Sequence, residues 1–143
     1  MTQNDVSEPS NQADNLQKEV FTPQGFPDPP AYVSWVTKAR GFVFCTGMLG
    51  LDLSTFELVN DSFEHEATQL MDNLRAMLES AGASLDDLVQ VTVYLTDIEL
   101  YGVLNKVYAG YLAETVKPSR TAVVVSELPR GARVEIDCIA IAR

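Results

Sequence analysis

The clearest pattern in the chain is a series of apolar residues at helical spacing near its middle. These residues are Phe63, Ala67, Leu70, Met71, Leu74, Leu78 and Ala81. Because apolar positions three or four residues apart share one side of a helix, the series predicts an amphipathic helix. Asp61 and Glu64 before it have the spacing of a capping box, and Gly82 stands where the helix should end.

Strand patterns surround this helix. Strands are predicted over residues 31–36, 42–48, 89–96, 121–128 and 134–142, and a second helix from Asp97 to about Glu114. Val89 should share the buried side of its strand with Val91, because side chains alternate between the two faces. Pro129-Arg130-Gly131 separates the last two strands and predicts a hairpin between them. The element order β-β-α-β-α-β-β predicts an α/β (α+β) domain with a mixed sheet and two helices on one face.

The face of the sheet away from the helices has an apolar component of its own. The last strand alternates between Val134, Ile136, Cys138 and Ala140 on one side and Glu135, Asp137, Ile139 and Ile141 on the other. If helices cover the first side, the second would expose a hydrophobic patch. A further copy of the chain is the simplest cover, so the pattern predicts an oligomer.

One folded domain is expected, preceded by a tail. Residues 1–24 are mostly polar and lack periodicity, which predicts a flexible N-terminal tail, and residues 25–143 form the predicted domain. The first residues lack the basic start and apolar core of a secretory signal, so a cytoplasmic protein is expected. No segment approaches the roughly 20 apolar residues of a membrane span, so no membrane partner is expected.

Charge and composition disfavour several kinds of site. The net charge of -10, from 10 Lys+Arg and 20 Asp+Glu, disfavours a nucleic-acid partner. His65 is the only histidine, and Cys45 and Cys138 lack the spacing of metal ligands, so no metal site is predicted. The sequence has none of the glycine-rich motifs that bind the phosphates of nucleotide cofactors, so no cofactor is expected.

The remaining candidates for chemistry are a guanidinium and a carboxylate. Arg120 follows Pro118-Ser119 at the start of a predicted strand, and Glu135 lies in the strand expected to pair with it. Spacing alone favours a structural salt bridge, and Arg120 could equally be an exposed charge at a strand end. By the same reasoning Asn105 is an ordinary residue of a helix surface, and Tyr32 a core aromatic.

Several separated segments resemble one family. The strongest are Lys117-Pro-Ser-Arg120-Thr-Ala-Val-Val-Val125 and Leu128-Pro-Arg-Gly-Ala-Arg-Val-Glu135-Ile-Asp-Cys-Ile-Ala140, with Phe42-Val-Phe-Cys-Thr-Gly47 and Asn105-Lys-Val-Tyr108 in support. From about Pro30 to Arg143 the chain resembles the Rid (reactive-intermediate deaminase, YjgF-like) family. The resemblance implies a chorismate-mutase-like domain that forms homotrimers with active sites between subunits. It also implies hydrolysis of 2-imino or 2-enamino acids to 2-oxo acids and ammonia, without a cofactor.

The resemblance also implies roles for individual residues. Arg120 would hold the carboxylate of a small imine or enamine substrate, and Glu135 would orient or activate water. The remaining positions implied to contact substrate are Tyr32, Gly47, Asn105 and Ala122. The family often has Cys where this chain has Ala122 and Gln where it has Met48, and the match at Tyr32 requires a one-residue insertion. These departures put the identity of the substrate in doubt.

Other functions are compatible with the same residues. One is a deaminase dedicated to a single pathway, with an aminomuconate- or aminoacrylate-type substrate. Another is a catalytically silent trimer that binds ligands or proteins. A ribonuclease activity, attributed to some relatives, is disfavoured by the acidic charge and the absence of a basic patch in the sequence.

Overall fold

The computed structural model describes residues 17–142. Within that part of the chain, two helices, Phe63–Ser80 (α1) and Tyr101–Tyr111 (α2), pack against a six-stranded mixed sheet. Its strands are Glu19–Phe21 (β1), Val36–Ala39 (β2), Phe42–Met48 (β3), Leu88–Leu95 (β6), Ser119–Val124 (β7) and Val134–Ile141 (β8). Leu51–Asp52 (β4) and Glu57–Leu58 (β5) pair with each other in a separate two-stranded sheet. Neither helix is long and apolar enough to cross a membrane.

Helix α1 forms as its apolar series predicts, with one difference at its start. The N-cap is Ser62, whose side chain accepts a hydrogen bond from the backbone N–H of His65 at 3.1 Å, so the capping box predicted on Asp61 is wrong. Asp61 instead contacts the His65 ring, with 2.8 Å between Oδ1 and Nδ1. Gly82 follows the C-terminus with φ of +80°, a conformation that glycine adopts at little cost.

The hydrophobic core lies between the helices and one face of the sheet. α1 contributes Leu70, Met77 and Leu78, which are fully buried, as is Leu104 of α2. The sheet contributes the alternating buried residues of β3, β6 and β8, among them Val43, Val91, Val93, Val134, Ile136, Cys138 and Ala140. The predicted arrangement with both helices on one face is therefore confirmed.

Several local predictions differ from the structure. The strand predicted over residues 121–128 is Ser119–Val124, and the second helix, predicted from Asp97 to about Glu114, is Tyr101–Tyr111. The first predicted strand, over residues 31–36, starts only at Val36, because the prolines before it keep the chain out of the sheet. Val89 is exposed, since the pairing of β6 with β8 shifts between Leu88 and Gln90 and turns this residue outward. β1, inside the stretch assigned to the tail, pairs with β2. The rest of that predicted tail, residues 1–16, lies outside the described residues.

The expected hairpin between the last two strands is wrong. The sheet order is β1-β2-β3-β8-β6-β7, so β8 pairs with β3 and β6, whereas β7 pairs with β6 in parallel. β8 alternates fully buried residues along its whole length, which suits a central strand, and β7 is mostly exposed, which suits an edge. The connection passes the end of β6, where Thr96 donates its backbone N–H to the carbonyl of Arg133.

The sheet face opposite the helices is apolar at one end. Phe42 pairs with Ile141 and Phe44 with Ile139 across β3 and β8. Phe42, Phe44 and Ile141 are 44%, 41% and 48% exposed in the single chain. A patch of adjacent large apolar side chains with this exposure is typical of a surface that contacts another protein.

Candidate active site

The first group of site residues surrounds Arg120 at the start of the edge strand β7. The Nη2 of Arg120 donates hydrogen bonds to Asn105 Oδ1 at 2.8 Å and to the Tyr101 hydroxyl at 3.0 Å. The guanidinium also stacks over the rings of Tyr108 and Tyr101, with Cζ 4.8 Å and 5.5 Å from their centroids. We call Arg120, Asn105, Tyr101 and Tyr108 the guanidinium half-site.

The sequence places these α2 residues on one side of the helix. Tyr101, Asn105 and Tyr108 are spaced i, i+4 and i+7, so their side chains line up facing β7. Ala122 lies two residues after Arg120 and points to the same side of the sheet, because these residues pair with Val93 and Val91 of the buried face. Arg120 is thus held in place from both helix and strand.

Two groups of this half-site keep unused hydrogen-bonding capacity. Among residues 17–142, no acidic side chain pairs with Arg120, and its Nη1 and Nε have no acceptor. The buried Tyr108 hydroxyl likewise lacks a partner in this range. Burial raises the pKa of Tyr108, opposed in part by the nearby Arg120 charge, so the hydroxyl remains a proton donor at neutral pH. The half-site therefore presents donors without a matching acceptor, as a site for a carboxylate does.

The second group surrounds Glu135 on the central strand β8. The pairing of β3 with β8 shifts between Cys45 and Met48, which is a bulge that brings the backbone of Gly47 against the Glu135 side chain. A Cβ added at Gly47 would lie 3.0 Å from Glu135 Cδ and 3.2 Å from Oε2. The glycine therefore leaves room for the carboxylate.

Glu135 opens into a cleft of about 480 Å³. Tyr32, Gly47 and Arg130 also line it, together with Trp35 and Phe56. Burial raises the pKa of Glu135, and the negative charge of Asp137 raises it further. We call Glu135, Gly47, Tyr32 and Arg130 the carboxylate half-site.

The two half-sites of one chain do not meet. Arg120 pairs with Val91, a buried residue, so its side chain points to the helical side of the sheet. Glu135 pairs with Tyr94 and points to the open side. The expectation that Glu135 lies in the strand paired with that of Arg120 is wrong, because β6 separates β7 from β8. The six predicted residues fall into two groups, Arg120, Asn105 and Ala122 in one and Tyr32, Gly47 and Glu135 in the other.

Sequence reasoning missed three residues of these groups. Tyr101 and Tyr108 were not assigned to the site, although their helical spacing from Asn105 was a usable signal. Arg130 lies in the segment Pro129-Arg130-Gly131 that predicts a hairpin turn, and nothing in the local pattern indicates that the turn borders a cleft. The structure places all three beside predicted site residues.

Other reactive side chains lie elsewhere. His65 is exposed on α1 beside Asp61 and lines neither half-site. Cys45 and Cys138 are buried free thiols that lie opposite each other on β3 and β8. The hydrogen bond between them, together with burial, raises the pKa of the Cys138 thiol well above its usual range. In the described part of the chain, no three His, Cys, Asp or Glu side chains come together as metal ligands would.

Comparison with known proteins places these features in one family. Residues 27–142 match the family model described as endoribonuclease L-PSP. A RutC family protein of Pyrococcus horikoshii is 41% identical over 123 residues, which cover 86% of this chain and 97% of that protein. The 2-iminobutanoate/2-iminopropanoate deaminase of Mus musculus is 38% identical over 99 residues, covering 69% of this chain and 73% of that protein.

A solved structure agrees with these relatives. The crystal structure of RidA from an Antarctic Psychrobacter superimposes with a TM-score of 0.80 at 36% sequence identity. The match covers 86% of this chain and 98% of that one. The family model matches residues 27–142, a range that contains the residues of both half-sites. The chain belongs to the Rid/YjgF/RutC family, whose domain is described as endoribonuclease L-PSP.

Proposed function

We propose that the protein is a cofactor-independent hydrolytic deaminase that converts 2-imino and 2-enamino acids to 2-oxo acids and ammonia. The observation that carries the proposal is the Arg120 guanidinium, held by neutral partners and left without an acidic partner in residues 17–142. The name of the mouse relative, a 2-iminobutanoate/2-iminopropanoate deaminase, supports the same chemistry.

Arg120 binds the substrate carboxylate in this proposal. Its Nη1 and Nε have no acceptor among residues 17–142, and each can donate a charge-assisted hydrogen bond to a substrate carboxylate. Asn105 and Tyr101 accept hydrogen bonds from the remaining nitrogen, Nη2, and fix the orientation of the guanidinium. In a chain of net charge -10, such a local cation is what an anionic substrate requires.

Glu135 carries the proton in this proposal. The imine reacts in its protonated form: as water adds to the imine carbon, the carboxylate takes one water proton, giving a carbon that bears a hydroxyl and an amino group. Glu135 then gives this proton to the amino nitrogen, the C–N bond breaks with its electron pair leaving on ammonia, and the carboxylate takes the hydroxyl proton as the carbonyl forms. Ammonia or solvent takes up that last proton and restores the carboxylate. A carboxyl whose pKa is raised by burial is suited to both steps, because its proton affinity is closer to that of the groups it serves. An enamine is first protonated at carbon to give the imine.

The active site in this proposal is assembled from copies of the chain. The half-sites face opposite sides of the sheet, so one substrate can reach both only if they belong to different subunits. An interface on the sheet face opposite the helices is supported by exposed apolar residues there, Phe42, Phe44 and Ile141, and by Tyr32 of the cleft, which is 87% exposed. We propose a homotrimer in which the guanidinium half-site of one subunit closes the cleft of the next.

The test is release of ammonia and 2-oxo acid from freshly generated 2-iminopropanoate and bulkier 2-imino acids. We expect turnover by the unchanged protein and a loss of about 10- to 100-fold or more in kcat/KM for Arg120→Ala, the worth of charge-assisted hydrogen bonds. Arg40→Ala removes an exposed arginine outside both half-sites and serves as the matched control.

Two outcomes contradict the proposal. One is an unchanged protein that releases no ammonia beyond the uncatalysed rate from any 2-imino acid. The other is full activity in Arg120→Ala. Sedimentation should give the same oligomeric state for the unchanged protein, Arg120→Ala and Arg40→Ala, so that a loss of turnover reports on the site and not on assembly.

A further inference from the structure

The carboxylate half-site contains a second guanidinium, that of Arg130, which the proposed hydrolysis does not use. Its Nη1 donates a hydrogen bond to the backbone carbonyl of Phe56 at 2.8 Å, and Cζ lies 5.2 Å from the centroid of the Phe56 ring. In the described range no acidic side chain pairs with Arg130, and Nη2 and Nε have no acceptor. Arg130 thus resembles Arg120 in being oriented by an aromatic ring and a neutral oxygen while keeping free donors.

The backbone that carries Arg130 is firmly fixed. Arg130 has φ of +60° and Phe56 has φ of +58°, values that cost energy for residues other than glycine. The two strained residues contact each other at the wall of the cleft. Three residues further along, Arg133 donates its backbone N–H and its Nε to the fully buried carboxylate of Glu66 at 2.8 Å and 2.7 Å. The turn is therefore anchored on its far side.

The cleft offers more room than the smallest imino acids need. Its volume of about 480 Å³ falls in the range of pockets for drug-sized ligands. Glu135 and Arg130 both line it, so a substrate beside Glu135 has a cation within the same cavity. A guanidinium with free donors and no acidic partner favours an anionic group on the ligand.

From these observations we infer that Arg130 determines specificity, by binding a second carboxylate at the far end of the substrate. The inference rests on the proposed deaminase function and narrows its substrate class to dicarboxylic 2-imino acids. Arg120 of one subunit then holds the carboxylate next to the imine, Glu135 of the next subunit serves the reacting carbon, and Arg130 beside Glu135 holds the distal carboxylate.

The test measures binding of stable 2-oxo acids, which does not depend on turnover. The diacids 2-oxoglutarate and 2-oxoadipate are compared by calorimetry with 2-oxopentanoate and 2-oxohexanoate, which have the same chain lengths and a methyl in place of the distal carboxylate. We expect the unchanged protein to bind at least one diacid about 10-fold or more tighter than its partner, and Arg130→Gln to lose that preference. Arg40→Gln is the matched control, since Arg40 is an exposed arginine with φ of +50° in another turn.

Three results overturn the inference. In the first, the unchanged protein binds neither diacid more tightly than the monoacid of the same length. In the second, Arg130→Gln keeps the preference for the diacid. In the third, Arg130→Gln loses affinity equally for all four ligands, which would mean that Arg130 only maintains the shape of the cleft. Thermal unfolding is measured in parallel to check that Arg130→Gln remains folded. If the protein prefers diacids but turns over no imino acid, the role of Arg130 in binding stands and the deaminase proposal is contradicted. If it turns over imino acids without a diacid preference that depends on Arg130, the deaminase proposal stands and the role of Arg130 is contradicted.

Discussion

Arg120 and Glu135 point to opposite sides of one sheet, and strand β6 lies between the strands that carry them. Val91 of β6 pairs with Arg120, and Tyr94, three residues further along, pairs with Glu135. With about 3.3 Å per residue and about 4.8 Å per strand, their Cα atoms are roughly 14 Å apart. A substrate whose carboxylate adjoins its imine carbon is far shorter, so one subunit does not hold it with both residues.

This separation predicts complementation between two inactive variants. Arg120→Ala and Glu135→Gln should each lose turnover alone. When the two are co-expressed and the mixed trimers are purified, one of the three interfaces pairs an intact Arg120 with an intact Glu135, so about a third of the activity should return. The measurement is ammonia release per subunit from purified mixed assemblies.

The control for complementation is a mixture of the two variants purified separately and not allowed to exchange, which should stay inactive. Lack of recovery in mixed assemblies whose composition is verified by mass would mean that both residues serve one substrate within a subunit, or that only one of them acts.

The pH dependence of turnover should follow the environment of Glu135. Burial and the Asp137 charge raise its pKa, so the base form appears at higher pH than for an ordinary glutamate, and kcat/KM should rise with pH through that raised midpoint. Asp137→Asn removes the like charge and should move the midpoint to lower pH, though not fully, because burial is the larger cause. The Tyr94 hydroxyl donates a hydrogen bond to Asp137 Oδ2 at 3.0 Å, and the side-chain oxygen of the asparagine in Asp137→Asn can still accept it. A midpoint that stays or moves upward would count against Glu135 as the proton carrier.

Gly47→Ala should reduce activity without unfolding the chain. The new Cβ would lie 3.0 Å from Glu135 Cδ, so the carboxylate must move, and a displacement on that scale costs about 10- to 100-fold in kcat. Gly110→Ala is the matched control, because Gly110 lies in helix α2 and a Cβ added there meets nothing within 4 Å. It should retain activity and gain about 0.5–1 kcal/mol of stability. Comparable activity in both variants would show that Glu135 tolerates the shift.

Glu66→Ala should be strongly destabilising. Glu66 is 0% exposed and accepts hydrogen bonds from the backbone N–H and the Nε of Arg133, so its removal leaves those groups without an acceptor at a cost of about 3 kcal/mol. Glu66→Gln keeps one oxygen acceptor and should cost about 1 kcal/mol. Urea unfolding at one protein concentration measures both. Asp61→Ala, which breaks the exposed contact with His65, should change little, and an equal effect of all three variants would rule out a special role for the buried pair.

The sequence predicted the local elements of the fold well. Helix α1 follows from an apolar series that only a helix can bury, and β3 from a run bounded by glycines. Errors of one or two residues arose where neighbours compete for a role, as Asp61 and Ser62 do at the N-cap. The bulge that turns Val89 outward left no mark in an otherwise regular alternation.

Strand order was beyond the reach of these patterns. Alternation along a strand reports which side chains share a face, but it carries no information on the strand alongside. A short turn after β7 favoured a hairpin with β8, whereas the tertiary structure places the most regularly buried strand, β8, in the centre of the sheet. Burial of that strand between β3 and β6 outweighs the local preference for a tight turn.

The sequence by itself determined which residues are candidates for the site, because Arg120, Glu135, Asn105 and their neighbours occur in local segments that can be read and compared. Only the tertiary structure decided how they are grouped. It separated Arg120 from Glu135 by a strand and a change of face, and it brought Arg130 to the cleft of Glu135. The reason is that a segment fixes the side to which each residue points, whereas contacts between distant segments are fixed by the packing of the whole chain.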